Sequence, residues 1–199
     1  VETPNFFGLG VKLLKDTYDF NSIGIVYLKG SPSHEAAIKQ LSALGKQLNF
    51  KFIYHGFKLR GADGKPFAKE IIRNNLAKSL NEVCPNVDVF YVQTSNTFLK
   101  NFDLFRQAFT KNKLVTSGDT LYINKGIVMG VGRDSKKFGE QCAFYAKKIL
   151  TGTNPSDLPM DVGKKLTLEL NLTTAKQVGY EPTMDLLGSA DKIVTDTDF

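Results

Sequence analysis

The chain has 199 residues, 42% of them apolar and 23% charged, the balance of a globular protein that buries a real core as one large domain or two small ones. Its net charge of +6 comes from 26 basic residues set singly or in pairs among 20 acidic ones, with arginine confined to Arg60, Arg73, Arg106 and Arg133. That scatter argues against a nucleic-acid partner, which needs a clustered basic stripe, and no apolar run approaches the roughly 20 residues that span a bilayer.

The first residues, Val-Glu-Thr-Pro, show neither a basic segment nor an apolar one, so no signal peptide is visible, as in a mature secreted chain. A helix is expected over residues 2–18, with Val11 and Leu14 on its apolar stripe and Gly8 and Gly10 in its first turns. Residues 22–28 (Ser-Ile-Gly-Ile-Val-Tyr-Leu) read as a strand buried on both faces. After the turn Lys29-Gly-Ser-Pro-Ser, Ser33 reads as the cap of a helix carrying Ala37, Leu41, Leu44 and Leu48 at helical spacing. A second strand over 50–56 and a polar loop lead to a helix over 67–83 with Ile71, Ile72, Leu76 and Leu80.

Pro85-Asn86 breaks that helix ahead of a third strand over 87–92. One helix is expected from 96 or 97 to 110, striped by Phe98, Phe102, Phe105 and Phe109, a pattern that belongs to a core rather than to a ligand platform. Strands over 114–116 and 126–131, a helix over 135–151, a strand over 166–170 and short helices over 173–178 and 183–187 complete the chain. Strands alternating with helices predict the α/β class: a mostly parallel sheet with helices on both faces.

In such a sheet ligands sit beyond the carboxyl ends of the strands. This rule selects Ser31, Ser33 and His34 after the first strand, Gln93, Thr94, Ser95, Asn96 and Thr97 after the third, Ser117 through Thr120 after the fourth, and Arg133 and Asp134 after the fifth. Small hydroxyls, amides and Asp119 at helix starts suit an anion or a polar solute, although the same residue types also serve simply as helix caps. Catalytic templates fit poorly. There is no Gly-x-Ser-x-Gly and no His-Glu-x-x-His, and Gly130-Val-Gly132-Arg-Asp lacks the third glycine of a dinucleotide fingerprint. Cys84 and Cys142 have no CxxC partner, and His34 and His55 lie far apart, so neither a metal nor a cofactor is expected. The two cysteines are either buried thiols or a pair formed in an oxidising compartment.

The order of punctuation near the end is the most informative feature. It runs Lys147-Lys-Ile-Leu-Thr-Gly-Thr-Asn-Pro-Ser-Asp-Leu-Pro, then Asn171-Leu-Thr-Thr-Ala-Lys-Gln-Val-Gly179-Tyr-Glu-Pro182. With Gly24-Ile-Val-Tyr and Val89-Phe-Tyr-Val-Gln-Thr-Ser-Asn-Thr, it resembles the substrate-binding proteins of ABC transporters related to the tryptophan-type binders. The resemblance runs from about residue 22 to the end and implies a periplasmic-binding-protein type I-like lobe. In such receptors the segment after the third strand commonly reads Pro-Thr-Asp-Asn-Thr and lines the cleft, and here Ser95 stands in place of the acid.

The resemblance further implies that residues 1–125 form the second lobe of a two-lobe receptor, that 126–199 are the returning segments, and that an N-terminal lobe is missing. Segments built to pack on that lobe would then swap with another copy, repack or lie exposed, so a homodimer is an expectation. The implied function is capture of an amino-acid-like or other small polar or aromatic solute for an ABC permease, without catalysis, in the periplasm or outside the cell, with a lipid anchor as an option. Ser31, Ser33, Thr94, Ser95, Asn96 and Asp119 would bind the solute, with Asp134 in a lesser part. The alternative is a ligand-sensing domain of a transcriptional regulator or sensor kinase with the same fold. A small α/β enzyme ranks third.

Overall fold

A computed structural model describes residues 6–159 and 166–195. The chain runs through α1 (Phe6–Thr17), β1 (Ser22–Leu28), α2 (Pro32–Leu48), β2 (Lys51–Phe57), α3 (Lys69–Val83), β3 (Val89–Val92), α4 (Asn96–Lys100), α5 (Phe102–Asn112), β4 (Val115–Gly118) and β5 (Met129–Arg133). It continues through α6 (Ser135–Leu150), β6 (Leu166–Asn171), α7 (Leu172–Val178), α8 (Met184–Ser189) and β7 (Lys192–Val194). Residues 2–5 of the expected first helix lie outside the described residues. No described helix is long and apolar enough to cross a membrane.

The strands form one seven-stranded sheet in the order β2-β1-β3-β4-β5-β6-β7. β1 through β5 are mutually parallel, β6 runs antiparallel to β5 (Met129 opposite Leu170, Arg133 opposite Leu166), and β7 is parallel to β6. The α/β expectation therefore holds, with helices on both faces. The period-2 alternation of strand side chains explains the two cores. Ile23 and Ile25 of β1 pack with Val11, Leu14, Leu41, Leu44, Ala175 and Leu186 from α1, α2, α7 and α8. Val26 and Leu28 pack on the other face with Leu76, Leu80, Phe98, Phe102, Phe105 and Phe109 from α3, α4 and α5.

Three local expectations need correction. The aromatic helix is two helices: Asn101 sits at φ −123° between α4 and α5, and its Nδ2 donates to the Thr97 carbonyl at 2.8 Å, a back-bond that competes with the helical ladder. The fifth strand starts at Met129, because residues 120–125 form a 3₁₀ turn closed by Gly126 at φ 109°. The cap of α2 is Ser31, with Pro32 as the first helical residue, so Ser33 lies inside the helix.

Cys84 is a buried thiol, pushed up to about 12 by burial, whereas Cys142 is exposed on α6 and both are unpaired. The expectation of two buried thiols therefore fails at Cys142. The reason is that none of the described side chains of α6 is buried, since no other described element covers that helix.

Candidate functional site

The sheet order places the site. From β1 the chain turns into α2 on one face, and from β3 into α4 and α5 on the other. The loops leaving these adjacent strands therefore separate, and the crevice between them is the topological switch point of an open α/β sheet. The loops after β4 and β5 end on the same edge, because these strands run parallel to β3.

Within that edge the sequence-predicted residues fall into groups. Thr94 donates its hydroxyl to Asp119 Oδ2 at 3.2 Å, joining the loops after β3 and β4. Asp119 Oδ1 accepts from the Leu121 N–H at 2.9 Å and so caps the 3₁₀ turn. Ser31 and Ser33 hydroxyls lie 3.2 Å apart at the start of α2, where Glu35 accepts from the Gly30 N–H at 2.8 Å. Ser95 caps α4 by accepting from the Thr97 N–H at 3.2 Å, and Asn96 is exposed beside it.

Asp134 stands apart from these. It caps α6 through the Lys136 and Lys137 N–H groups at 3.0 Å each, and those bonds, Lys137's foremost, hold its carboxyl below the usual range against partial desolvation. Among the described contacts none joins the Ser31–Ser33 pair, or Asp134, directly to the Thr94–Asp119 pair.

Two residues that the strand-end rule selects without giving them a solute contact, His34 and Gln93, and one that it does not select, Tyr122, make the connections. His34, 4% exposed, accepts the Leu28 N–H on Nδ1 at 3.1 Å and packs edge-on against Phe98. Gln93, 2% exposed, donates its amide to the His34 carbonyl at 3.4 Å, while its Oε1 is buried without a hydrogen-bond partner. Tyr122 is fully buried and stacked on Phe102. Its hydroxyl accepts the Ser95 N–H at 2.9 Å and lies 3.2 Å from both the Gln93 and Ser95 carbonyls. Burial raises this phenol to about 12, so it remains a neutral donor that fixes the loop after β3. No sequence signal marked Tyr122, which sits among Leu121 and Ile123 as one more apolar residue.

The Gly130-Val-Gly132 run has a packing explanation. A side chain at Gly130 would come within 2.9 Å of the Thr120 Cα, and one at Gly132 within 2.7 Å of its hydroxyl. These glycines let the turn that carries Asp119 lie directly across β5.

One constellation outside the edge has the look of a hydrolytic triad. His55 Nδ1 lies 2.8 Å from Ser79 Oγ, and His55 Nε2 lies 3.0 Å from Glu82. Ser79 is fully buried, however, and its hydroxyl donates to the Asn75 carbonyl at 2.8 Å, so it presents no accessible nucleophile and ties β2 to α3 instead. No group of three or more metal-ligating side chains occurs among the described residues.

Comparison with known proteins fits this fold. A conserved domain protein from Vibrio cholerae O1 biovar El Tor superposes with a TM-score of 0.77 at 23% identity, over 96% of this chain and 60% of that one. The ligand-free, open form of a substrate-binding protein with adhesive properties from Clostridium difficile gives 0.73 at 20% identity, over 95% and 59%. An ABC domain in complex with L-Trp from Streptococcus pneumoniae gives 0.72 at 17% identity, over 94% and 60%. An uncharacterised Rickettsia prowazekii protein is 26% identical over 100 residues, half of this chain and 33% of that protein. The architecture is thus the fold that these three structures share. The family model described as ABC transporter substrate binding protein matches residues 10–194, and the chain belongs to that family. It spans about 60% of the length of these structures.

Proposed function

We propose that this chain is the solute-capturing lobe of an ABC importer's receptor, with residues 1–125 forming one jaw and residues 126–199 the segments that return toward a second. The observation that carries this reading is the convergence of the loops after β1, β3 and β4 on one edge of the sheet, where Thr94 meets Asp119. The uncovered apolar side of α6 supports the two-lobe arrangement, because the longer relatives have further chain to cover such a surface.

The solute is a small polar or aromatic molecule of the amino-acid type. Asp119 pairs with its ammonium, Thr94, Ser95, Asn96, Ser31 and Ser33 supply neutral hydrogen bonds, and Asp134 contributes from the neighbouring loop. Closure of the two jaws stabilises the state that a permease recognises, and the protein works outside the cytoplasm.

The test is native mass spectrometry of the full-length protein against an equimolar mixture of the twenty amino acids, followed by calorimetry with any amino acid retained. Asp119→Asn keeps the cap and removes the charge, and should weaken binding at least about tenfold, the effect of losing a charge-assisted hydrogen bond. Unchanged affinity in Asp119→Asn together with Thr94→Ala would overturn the assignment of this edge.

A further inference from the structure

His34 and the Gln93–Thr94 segment are tied across the switch point. His34 belongs to the first turn of α2, yet its ring reaches back to the last residue of β1, taking the Leu28 N–H on Nδ1 at 3.1 Å. With Nδ1 accepting, the neutral ring carries its proton on Nε2. The ring also bonds the Thr94 backbone in a contact that favours the protonated form, which makes the ring the donor there. Gln93 answers by donating to the His34 carbonyl at 3.4 Å, and Phe98 of α4 closes the ring's side. One buried imidazole therefore touches the end of β1, the loop after β3 and α4, which are the elements whose loops frame the crevice.

We propose that His34 is a positioning residue and acid-released latch, which pins the start of α2, and with it the loop after β3, to the end of β1 while neutral and frees them from that strand when protonated. A proton on Nδ1 would face the Leu28 N–H, donor against donor, in a site closed to water. The latch rests on the solute-binding reading for its purpose but not for its chemistry.

Burial lowers the ring's affinity for a proton, and the Thr94 bond only partly offsets this. The unfolded ring titrates near its ordinary value of 6.5 and the folded ring below it. The folded state therefore has the full benefit of a neutral His34 above that value, and loses it progressively as pH falls toward the lower folded one. The surrounding charges are committed elsewhere or solvated. Glu35 of α2 accepts the Gly30 N–H, Asp119 is held by Thr94 and Leu121, and Lys29 after β1 and Lys100 of α4 are exposed. No charge enters the causes of the ring's shift.

The decisive experiment uses the full-length protein and two readouts across pH 7.5 to 4.5. Nitrogen-15 chemical shifts report the His34 tautomer, and amide exchange, corrected for its intrinsic pH dependence, reports Leu28 protection. We expect the Nε2–H tautomer at neutral pH, with Leu28 protection falling about tenfold as the ring protonates, the scale of one hydrogen bond. In His34→Asn the side-chain oxygen can take the place of Nδ1 without titrating, so Leu28 protection should become insensitive to acid. A merely structural histidine would show no such rescue.

Binding of the twenty-amino-acid mixture, scored by native mass spectrometry at each pH, should fall with Leu28 protection in the wild type and stay level in His34→Asn. An Nδ1–H tautomer, or Leu28 protection that ignores acid in the wild type, overturns the latch, and these readings stand even if the variant does not fold. Protection that responds as expected while no amino acid binds at any pH supports the latch and overturns the amino-acid reading instead.

Discussion

Helices α5 and α6 carry the same kind of sequence and meet opposite fates. Each begins beside an aspartate, carries an apolar stripe at helical spacing (Phe102, Phe105 and Phe109 in α5; Phe138, Cys142, Tyr145 and Ile149 in α6) and ends among lysines. In α5, Phe102, Phe105 and Phe109 pack against Phe90, Phe98 and Tyr122, and Phe105 has no exposed surface. In α6, Phe144 is 55% exposed and Leu150 86%, and the aromatic ring's close neighbours are Tyr145 and the Lys148 ammonium of its own helix. Amphipathic spacing states that a helix has a face to cover; it does not state what covers it. α5 finds β3, α3 and Tyr122 in this chain, whereas α6 follows the strand at which the sheet stops being parallel, and none of its described residues joins either core.

The largest test of that contrast is Phe105→Ala. Removing a fully buried ring from an aromatic cluster should cost about 3–5 kcal/mol of stability, measured by chemical denaturation, with the midpoint rather than the slope carrying the change. A cost near zero would mean that the α5 face is no better packed than that of α6, and the distinction would disappear.

A second test finds where the covered part of the chain ends. β5 leads directly into α6, yet its first four residues are buried, and Gly130 lies under the backbone of Thr120. Gly130→Ala should cost about 1–3 kcal/mol by overpacking, because the added methyl meets backbone at 2.9 Å rather than a movable side chain. The same substitution lifts the turn bearing Asp119 and should weaken solute binding in the full-length protein. An unchanged midpoint would place the boundary of the well-packed region before β5.

The contrast also explains what the sequence made legible. Short apolar runs marked β1 to β5 and β6, and helical spacing marked almost every helix, since burial leaves either an unbroken run or a period that a single sequence displays. The break at Asn101 did not show, because asparagine in an otherwise striped helix has no periodic consequence. The turn over 120–125 and the three-residue β7 were too short to leave a pattern. Of the site, Thr94 and Asp119 could be selected because each follows a strand and both are polar. The ties through Tyr122, and between His34 and a glutamine 59 positions away, depend on contacts that local spacing does not encode. Ser33 reads as a cap because it precedes Glu35 by two residues, whereas the proline at the first helical position points to Ser31.

The smallest expected effect is the most discriminating. Replacing Phe138 and Phe144 together by serine removes two aromatic rings, a change that would be ruinous in α5. In this chain both side chains are already exposed, Phe138 by 43% and Phe144 by 55%, so unfolding free energy should fall by no more than about 1 kcal/mol, and any self-association seen by sedimentation should weaken as the exposed apolar area shrinks. In a longer protein where a second lobe rests on α6, the same pair would behave as core substitutions and lower stability by several kcal/mol, roughly in proportion to the area newly covered. The sign of that difference separates two explanations of α6, a surface awaiting another lobe and a surface used between copies of this chain. A full-length protein indifferent to the double substitution, with an isolated chain that dissociates because of it, would favour the second.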